Sequence, residues 1–322
     1  MDFLSKIASV LVLLNGLLGS GFNVCVVYLY FNGSQDKNSF NFICLTRAIN
    51  NIIVLAFNFL LLTFPVVLIS ENFYPAIIET VIITSTINVY LVNQIQTVAI
   101  ALNRFIALYL PFRYKALCSN HVTWVIMGAL YAQRGYETFT KLYSFINLDC
   151  LIRFDSDTFF TPFIDDARNC SKSLPVDSNL IVLMPSIFLS ISVVLNLLTF
   201  GKILIFYFSN NSNSESTSLA RKNIRLFFQT VFQDSLFLTD AVFTFKLSRL
   251  SDSRIWAFVS TVFVWESIHS LDGLIMLMFS DRVSTLRAKF ARIMDRDNQV
   301  SSSSWMGRSR RPAGTPSLPG VA

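Results

Sequence analysis

The chain has 322 residues, of which 53% are hydrophobic and 14% are charged, and its net charge is +6. Soluble domains carry about 25% charged residues, so this composition excludes an ordinary soluble domain. The basic residues lie between long hydrophobic runs and not on one surface, which excludes a nucleic-acid partner. Five cysteines and two distant histidines, His121 and His269, provide neither a disulfide scaffold nor a metal or cofactor site.

Seven apolar runs predict an all-α membrane protein, a seven-transmembrane helix bundle, since about 20 apolar residues cross about 30 Å of hydrocarbon. The runs lie at about residues 6–31, 40–70, 76–110, 121–132, 179–208, 224–247 and 255–280. The first has no obvious cleavage site and is interpreted as a retained helix. The fourth is too short and meets the polar segment 133–141, so we expect an interrupted helix over residues 121–143.

Lysine and arginine are more numerous in the segments that an outside N-terminus places on the cytoplasmic side. This bias predicts an N-terminus outside and a C-terminus inside, and it requires a crossing near residues 121–143. Residues 1–280 form the predicted membrane domain. We expect residues 281–294 to form an amphipathic helix on the membrane surface, with a solvated helical tail as the alternative. Residues 295–322 are expected to be a disordered cytoplasmic tail.

Polar residues inside the predicted helices are costly in lipid and usually face the bundle interior. Asn23, Asn50, Asn51 and Asp272 lie at similar depth if the first, second and seventh helices are neighbours. Two interpretations are open. The cluster either holds a sodium ion or water and acts as a switch, or it provides interhelical hydrogen bonds of about 0.6 kcal/mol each.

The predicted seventh helix carries Glu266, His269 and Asp272 at intervals of three residues, so they line one helical face. They form either a proton relay or acid–base site, or a packed polar seam. Together with Asp234 of the sixth helix, these residues are a candidate polar switch seam.

The third apolar run ends in Asn103 and Arg104, and Pro111 opens the segment Pro-Phe-Arg-Tyr seven residues after the arginine. This pattern resembles the Asp/Glu-Arg-Tyr signature of rhodopsin-like G-protein-coupled receptors. In those receptors the arginine holds the inactive state and contacts the G protein when the sixth helix moves. Asn103 departs from the signature, because an amide cannot form the family's ion pair.

A closer resemblance covers residues 233–279, which look like the sixth and seventh helices of the nematode serpentine receptor class X family. The matching residues are Gln233, Asp234, Trp256, Trp265, Glu266, His269, Asp272, Gly273 and Met276. The resemblance extends over most of residues 10–295. It implies a chemoreceptor of sensory neurons, in the plasma membrane of the sensory cilium, that couples to a heterotrimeric G protein. The fourth helix and the tail from Trp305 depart from the family.

The same resemblance implies where partners bind. The residues expected to contact the G protein are Asn103, Arg104, Pro111, Arg113, Lys115, Arg221, Lys222 and Arg225. The ligand, an extracellular small molecule or peptide, is expected to enter between the third, fifth, sixth and seventh helices.

The predicted second outer loop contains Cys150 and Cys170 and faces an oxidising compartment, where disulfides persist. The third helix has no cysteine at its outer end, so a bridge within the loop and two free thiols are the alternatives. Asn169 begins a glycosylation sequon on the same side.

Other classes of membrane protein fit the sequence less well. The seventh helix lacks the lysine of a retinal protein, no internal repeat indicates a transporter, and no nucleophile motif indicates an enzyme. The sequence therefore predicts a G-protein-coupled chemosensory receptor. The alternatives are a seven-helix ligand-gated channel, a transporter, and a non-signalling receptor relative with a damaged fourth helix.

Overall fold

A computed structural model describes residues 3–32, 38–69, 71, 73–159, 170, 178–209 and 214–280, with side chains of the fifth and sixth long helices described over 183–205 and from 224. These residues form seven long helices. We label them α1 (Phe3–Asn32), α2 (Ser39–Ile69), α3 (Ala76–Tyr109), α4 (Asn120–Asn147), α5 (Ser178–Ser209), α6 (Ser214–Phe245) and α7 (Arg254–Met278). A short helix, Pro111–Leu117, joins α3 to α4, and a 3₁₀ turn, Leu247–Leu250, precedes α7. The predicted all-α seven-helix bundle is confirmed.

Three of the helices begin at polar N-cap residues that the sequence supplies at the right places. The side chains of Asn38, Ser119 and Ser253 accept hydrogen bonds from backbone amides three residues later, at the starts of α2, α4 and α7. Such caps satisfy amides that have no partner within the helix. Pro111 occupies the first turn of the short helix, where its missing N–H costs nothing.

Five of the described helices are long and apolar enough to cross a membrane by length and composition. These spans are Phe3–Asn32, Ser39–Ile69, Ala76–Tyr109, Leu183–Ile205 and Arg254–Met278. The two other long helices, α4 and α6, carry more polar and charged residues.

The fourth helix is continuous where the sequence predicts an interruption. Its 28 residues run without a break from Asn120 to Asn147, a length of roughly 42 Å at 1.5 Å per residue. The polar residues bond within the helix, since Arg134 Nη1 donates to Glu137 Oε2 at 2.6 Å and Gln133 Nε2 donates to Glu137 Oε1 at 3.3 Å. The apolar character of this segment is therefore interrupted, whereas its helical backbone is continuous.

Two helices contain wide π-helical turns that flank polar residues. In α2 the wide turns cover Val54–Thr63, and in α7 they cover Phe258–Phe263. Such turns often occur at functional sites. Here Asn51 lies just before the wide part of α2, and Glu266 lies just after that of α7.

The two largest hydrophobic clusters of the described residues lie at opposite ends of the bundle, the first toward the end where α1 begins. The first contains Ala8, Val12, Val54, Leu55, Phe59, Leu62, Val66, Val67, Ile83, Phe154, Phe159, Phe258 and Val262. The second contains Phe42, Ile43, Leu45, Val92, Ile100, Met127 and Leu130. Buried polar side chains occupy the layer between them.

The segment after α4 folds over the end of the bundle where α1 begins. A disulfide joins Cys150 to Cys170, so the structure forms the bridge within this segment. Thr80 Oγ1 of α3 accepts a hydrogen bond from the Ile152 amide at 2.8 Å, and Glu79 Oε2 accepts one from the Phe154 amide at 2.9 Å. These bonds attach the segment to the start of α3.

Aromatic side chains and one arginine attach the same segment to α1 and α7. The rings of Phe154 and Phe159 are buried in the first hydrophobic cluster. Arg254 Nη2 donates to the Ser156 carbonyl at 2.8 Å and to Ser5 Oγ at 3.0 Å. The segment therefore fills the space between the ends of α1, α3 and α7.

Candidate functional site

An ion pair between Arg47 of α2 and Asp272 of α7 lies in the polar layer of the bundle. Arg47 Nε and Nη2 donate to the two carboxylate oxygens of Asp272 at 2.7 and 2.9 Å, and the side chains are 0% and 1% exposed. Arg47 Nη1 donates to Thr97 Oγ1 of α3 at 2.7 Å. Two parallel bonds fix the orientation of a guanidinium against a carboxylate, so the pair holds α2 and α7 in a defined register.

Asn51 connects the ion pair to three further side chains. Its Nδ2 donates to Asp272 Oδ2 at 2.8 Å and to Asn23 Oδ1 at 3.1 Å. Its Oδ1 accepts from Asn93 Nδ2 at 2.8 Å and lies 2.8 Å from His269 Nδ1. A carboxylate only accepts, so Asn51 must turn its nitrogen to Asp272 and its oxygen to His269. His269 Nδ1 is therefore the donor in that contact.

Hydrogen bonds extend this network to α6 and α4. Gln233 Nε2 of α6 donates to Asp272 Oδ1 at 2.9 Å. Asn50 Nδ2 donates to Asn93 Oδ1 at 2.9 Å, and the Tyr131 hydroxyl of α4 donates to Asn50 Oδ1 at 2.8 Å. The network thus joins α1, α2, α3, α4, α6 and α7. Each neutral bond contributes about 0.5–1.5 kcal/mol net, and bonds to the charged pair contribute about 1.5–3 kcal/mol.

The same contacts bear on the sodium or water site predicted around Asn23, Asn50 and Asp272. Each Asp272 oxygen already accepts two hydrogen bonds, from Arg47 together with either Asn51 or Gln233. Asn50 bonds to α3 and α4 and not to the carboxylate. A second cation beside the buried guanidinium would be repelled, so this arrangement favours an ion pair over a sodium site.

The structure does not bring together all four residues of the predicted polar switch seam, Asp234, Glu266, His269 and Asp272. They lie in three separate places. His269 and Asp272 meet through the shared amide of the network. Asp234 Oδ2 instead accepts from Ser192 Oγ at 2.8 Å and from Asn196 Nδ2 at 2.5 Å, which attaches α6 to α5. The carboxylate of Asp234 therefore serves a separate helix contact.

Glu266, the fourth of these residues, is buried between α7 and α1. A Cβ atom added at Gly16 of α1 would lie 3.0 Å from Glu266 Oε1 and 2.7 Å from the Leu60 side chain. One residue away, Asn15 Nδ2 donates to Ser267 Oγ at 3.1 Å. The close approach of α1 to α7 at this level thus depends on a glycine.

Aromatic side chains of α3, α6 and α7 cluster on the side of the network nearer the segment after α4. The Tyr90 ring centroid lies 5.8 Å from those of Phe237 and His269 and 6.1 Å from that of Trp265. The Tyr90 hydroxyl donates to Asp240 Oδ2 of α6. We call Tyr90, Phe237, Trp265 and His269 the aromatic cluster. It lies where α3, α6 and α7 meet, the region in which the sequence predicts the ligand.

Arg104 is buried near the other end of α3. Its side chain is 9% exposed, and its Cζ lies 3.9 Å from the centroid of the Phe40 ring of α2, in a cation–π contact. Among the described residues, Arg104 Nε and Nη2 have no hydrogen-bond partner. The guanidinium is therefore held by packing and retains unused donors.

Asn103 bonds to groups other than its neighbouring arginine. Its Nδ2 donates to Ser39 Oγ at 2.9 Å, and its Oδ1 accepts from the Tyr114 hydroxyl at 3.3 Å. Ser39 Oγ in turn lies 2.6 Å from Thr123 Oγ1 of α4. Burial raises the pKa of the Tyr114 hydroxyl, which keeps it protonated as a donor. A neutral chain of hydrogen bonds thus replaces the ion pair that the family signature implies.

The remaining predicted contacts for a G protein lie on the short helix and on α6. Pro111, Arg113 and Lys115 are exposed on the short helix, beside Phe112, whose side chain is 100% exposed. The other three predicted contacts lie on α6, and the structure describes the side chain of one of them. Arg225 is half-buried on α6, the side chains of Arg221 and Lys222 lie outside the described residues, and so does the predicted glycosylation site Asn169.

Arg47 is a central residue of this network that the sequence-based site predictions do not include. Its position near the start of the second apolar run would also suit a positive charge at the membrane surface. A signal for its true partner was present, because an arginine and an aspartate in neighbouring apolar helices are expected to pair in a membrane.

Comparison with known proteins identifies the family. Residues 13–280 match the family model of the serpentine type seven-transmembrane GPCR chemoreceptor Srx. The match covers well over half of the chain, all seven long helices included for the greater part of their length. A search of curated proteins finds no match. The chain belongs to the Srx family of serpentine chemoreceptors and is a multi-pass membrane protein, and the predicted resemblance is confirmed.

Proposed function

We propose that this chain is a chemosensory receptor that binds an extracellular small molecule or peptide and activates a heterotrimeric G protein. The family membership supports a receptor of the G-protein-coupled type. The ligand, the coupling and the G protein are our inference from the site. The mechanism is a shift of population between an inactive and an active arrangement of the helices, and the ligand must bind these two arrangements with different affinity.

The state of Arg104 carries this proposal. A buried guanidinium that uses packing and leaves Nε and Nη2 without partners among the described residues has donors for a new contact. If α6 moves away from α3, a G-protein segment can reach those donors. The exposed Arg113 and Lys115 lie on the adjoining short helix, so they would contact the same partner, together with Arg221, Lys222 and Arg225 of α6.

The network around Arg47 and Asp272 would be present in both arrangements, but with different hydrogen bonds in each. Gln233 connects α6 to the ion pair, so a movement of α6 must break at least that bond. Both carboxylate oxygens of Asp272 and both amide atoms of Asn51 are paired, and satisfied hydrogen bonds make a buried polar network rigid. The network therefore favours one discrete arrangement until ligand binding compensates for the lost bonds.

The proposed topology has the N-terminus outside and residues 281–322 inside, in the plasma membrane of a sensory cilium. The Cys150–Cys170 disulfide is consistent with an oxidising side for the segment after α4. Residues 1–280 would form the receptor domain, residues 281–294 a membrane-surface helix and residues 295–322 a cytoplasmic tail.

The test of coupling is the Arg104→Ala variant, with receptor level at the cell surface measured in parallel. We expect loss of G-protein activation at an unchanged surface level. Arg134→Ala is the matched control, because Arg134 is bonded within α4. Normal activation by Arg104→Ala would refute the assigned role.

The test of topology is glycosylation of Asn169, read as a mobility shift that Asn169→Gln abolishes. A specific shift would place the segment after α4 in the lumen of the endoplasmic reticulum. Absence of the shift, with a second sequon introduced at Asp157 also unmodified, would indicate the inverted topology of a channel.

A further inference from the structure

Two buried polar atoms of the aromatic cluster, both on α7, have no hydrogen-bond partner among the described residues. They are Trp265 Nε1 and His269 Nε2, and His269 is 0% exposed. The two rings lie one helical turn apart with centroids separated by 6.4 Å, and the Tyr90 ring is close to both. Buried polar groups in native proteins are normally paired, so two unpaired atoms on neighbouring rings suit one partner from outside the chain.

The two atoms require complementary chemistry. An indole nitrogen is only a donor. Because His269 Nδ1 donates to Asn51, the neutral imidazole presents Nε2 as an acceptor. The missing partner must therefore accept from Trp265 and donate to His269, which a hydroxyl group does with a single oxygen atom.

Ammonium, ether and carboxylate groups each satisfy only one of the two atoms. An ammonium group only donates and leaves Trp265 Nε1 unpaired, whereas an ether only accepts and leaves His269 Nε2 unpaired. A carboxylate also only accepts, and it would lie near the Asp240 carboxylate that Tyr90 contacts. The rings of Tyr90 and Phe237, and that of Phe59 at 5.2 Å from Trp265, suit an apolar body.

We propose that Trp265 and His269, together with Tyr90 and Phe237, form a ligand subsite that takes the hydroxyl group of a small, mainly apolar alcohol. This inference rests on the proposed receptor function and specifies the chemical class of its ligand.

The subsite is connected to the buried ion pair in two ways. The imidazole of His269 bonds to Asn51, which bonds to Asp272. The Phe237 ring contacts Tyr90 on one side and lies 5.0 Å from Arg47 Cζ on the other. A hydroxyl bound to His269 Nε2 therefore acts on the same network that holds α2, α6 and α7 together.

The experiment measures binding to the full-length protein in lipid nanodiscs by its thermal unfolding. The probes are primary and secondary aliphatic alcohols of about four to ten carbons, a size that suits a site of a few aromatic side chains, each with its methyl ether and its carboxylic acid. We expect at least one alcohol to raise the unfolding temperature saturably and its ether to bind at least about tenfold more weakly.

Trp265→Phe removes the donor and keeps an aromatic ring, so we expect it to weaken alcohol binding by about tenfold. The matched control is Trp256→Phe on the same helix, since Trp256 Nε1 is already bonded to the Leu247 carbonyl at 2.6 Å. His269→Gln, compared with the exposed His121→Gln, tests the acceptor. Because His269 also bonds to Asn51, that variant can fail to fold, and the Trp265 pair then decides the test.

Three results would overturn the subsite: no alcohol binds, ethers bind as well as alcohols, or Trp265→Phe binds like the wild type. The proposed function fails in a different way. Alcohol binding without G-protein activation would contradict the receptor function and keep the subsite. Activation by a ligand without a hydroxyl, unchanged in Trp265→Phe, would keep the function and overturn the subsite.

Discussion

Replacement of Asp272 by asparagine should destabilise the protein far more than its small change in shape suggests. Each Asp272 oxygen accepts two hydrogen bonds, and asparagine has one accepting oxygen, so two of the four bonds are lost. Arg47 then remains buried without a counter-charge, since its side chain is 0% exposed. Breaking a buried pair in this way costs about 3–5 kcal/mol.

The paired change tests whether this cost arises from the ion pair. Arg47→Met alone leaves the Asp272 carboxylate buried and should cost a similar amount. Arg47→Met combined with Asp272→Leu removes both charges, and apolar replacements of buried pairs are often neutral or stabilising. We therefore expect the double variant to be more stable than either single variant.

Thermal unfolding in detergent, followed with a thiol-reactive fluorophore, measures these differences because Cys44 is buried in the folded protein. The control is Glu137→Gln. Its ion pair with Arg134 has a similar length, 2.6 Å, but it lies within one helix and the two side chains are 17% and 33% exposed, so we expect a smaller loss than for Asp272→Asn. Equal effects of Asp272→Asn and Glu137→Gln, or additive losses in the double variant, would refute the reasoning.

The other predictions concern the packing of α1 and of the segment after α4, and thermal unfolding measures each of them. Gly19→Ala places a Cβ atom against a serine of α7 and should lower the free energy of unfolding by about 1–3 kcal/mol. Gly21→Ala is the control: a Cβ atom there has nothing within 4 Å, so the change should be neutral or stabilising by up to about 1 kcal/mol. Cys170→Ser opens the bridge to Cys150 across a sequence separation of 20 and should cost about 3 kcal/mol, with no further loss in reducing agent. Phe154→Ala empties part of the first hydrophobic cluster and should cost about 3–5 kcal/mol; a loss below about 1 kcal/mol would show that this segment does not fill the bundle.

Hydrophobic runs predicted most of the helices to within a few residues. The predicted run 76–110 corresponds to the helix Ala76–Tyr109, and the predicted run 6–31 corresponds to Phe3–Asn32. The fourth helix differs because hydropathy reports the cost of lipid exposure and not the tendency to form a helix. Arg134 and Glu137, which end the apolar run, pair with one another along the helix surface and so support its backbone.

The candidate site could be predicted in part. The shared depth of Asn23, Asn51 and Asp272 was readable from the positions of polar residues in apolar helices, and the structure brings these side chains into contact. The orientation of Arg47 was not readable, since an arginine within two turns of a helix end can extend either to the membrane surface or into the bundle. Only the packing of α2 against α7 decides between these directions.

The position of the ion pair changes how this receptor would hold its inactive state. The family signature implies a charge pair at the end of α3, but Asn103 is neutral there and bonds to Ser39 and Tyr114. Among the described residues, the fully buried ion pair is that of Arg47 and Asp272 in the polar layer. This pair is one hydrogen-bonded amide away from the proposed ligand subsite. A ligand at the subsite would therefore act on this ion pair through Asn51, and Arg104 would need no acidic partner to be released.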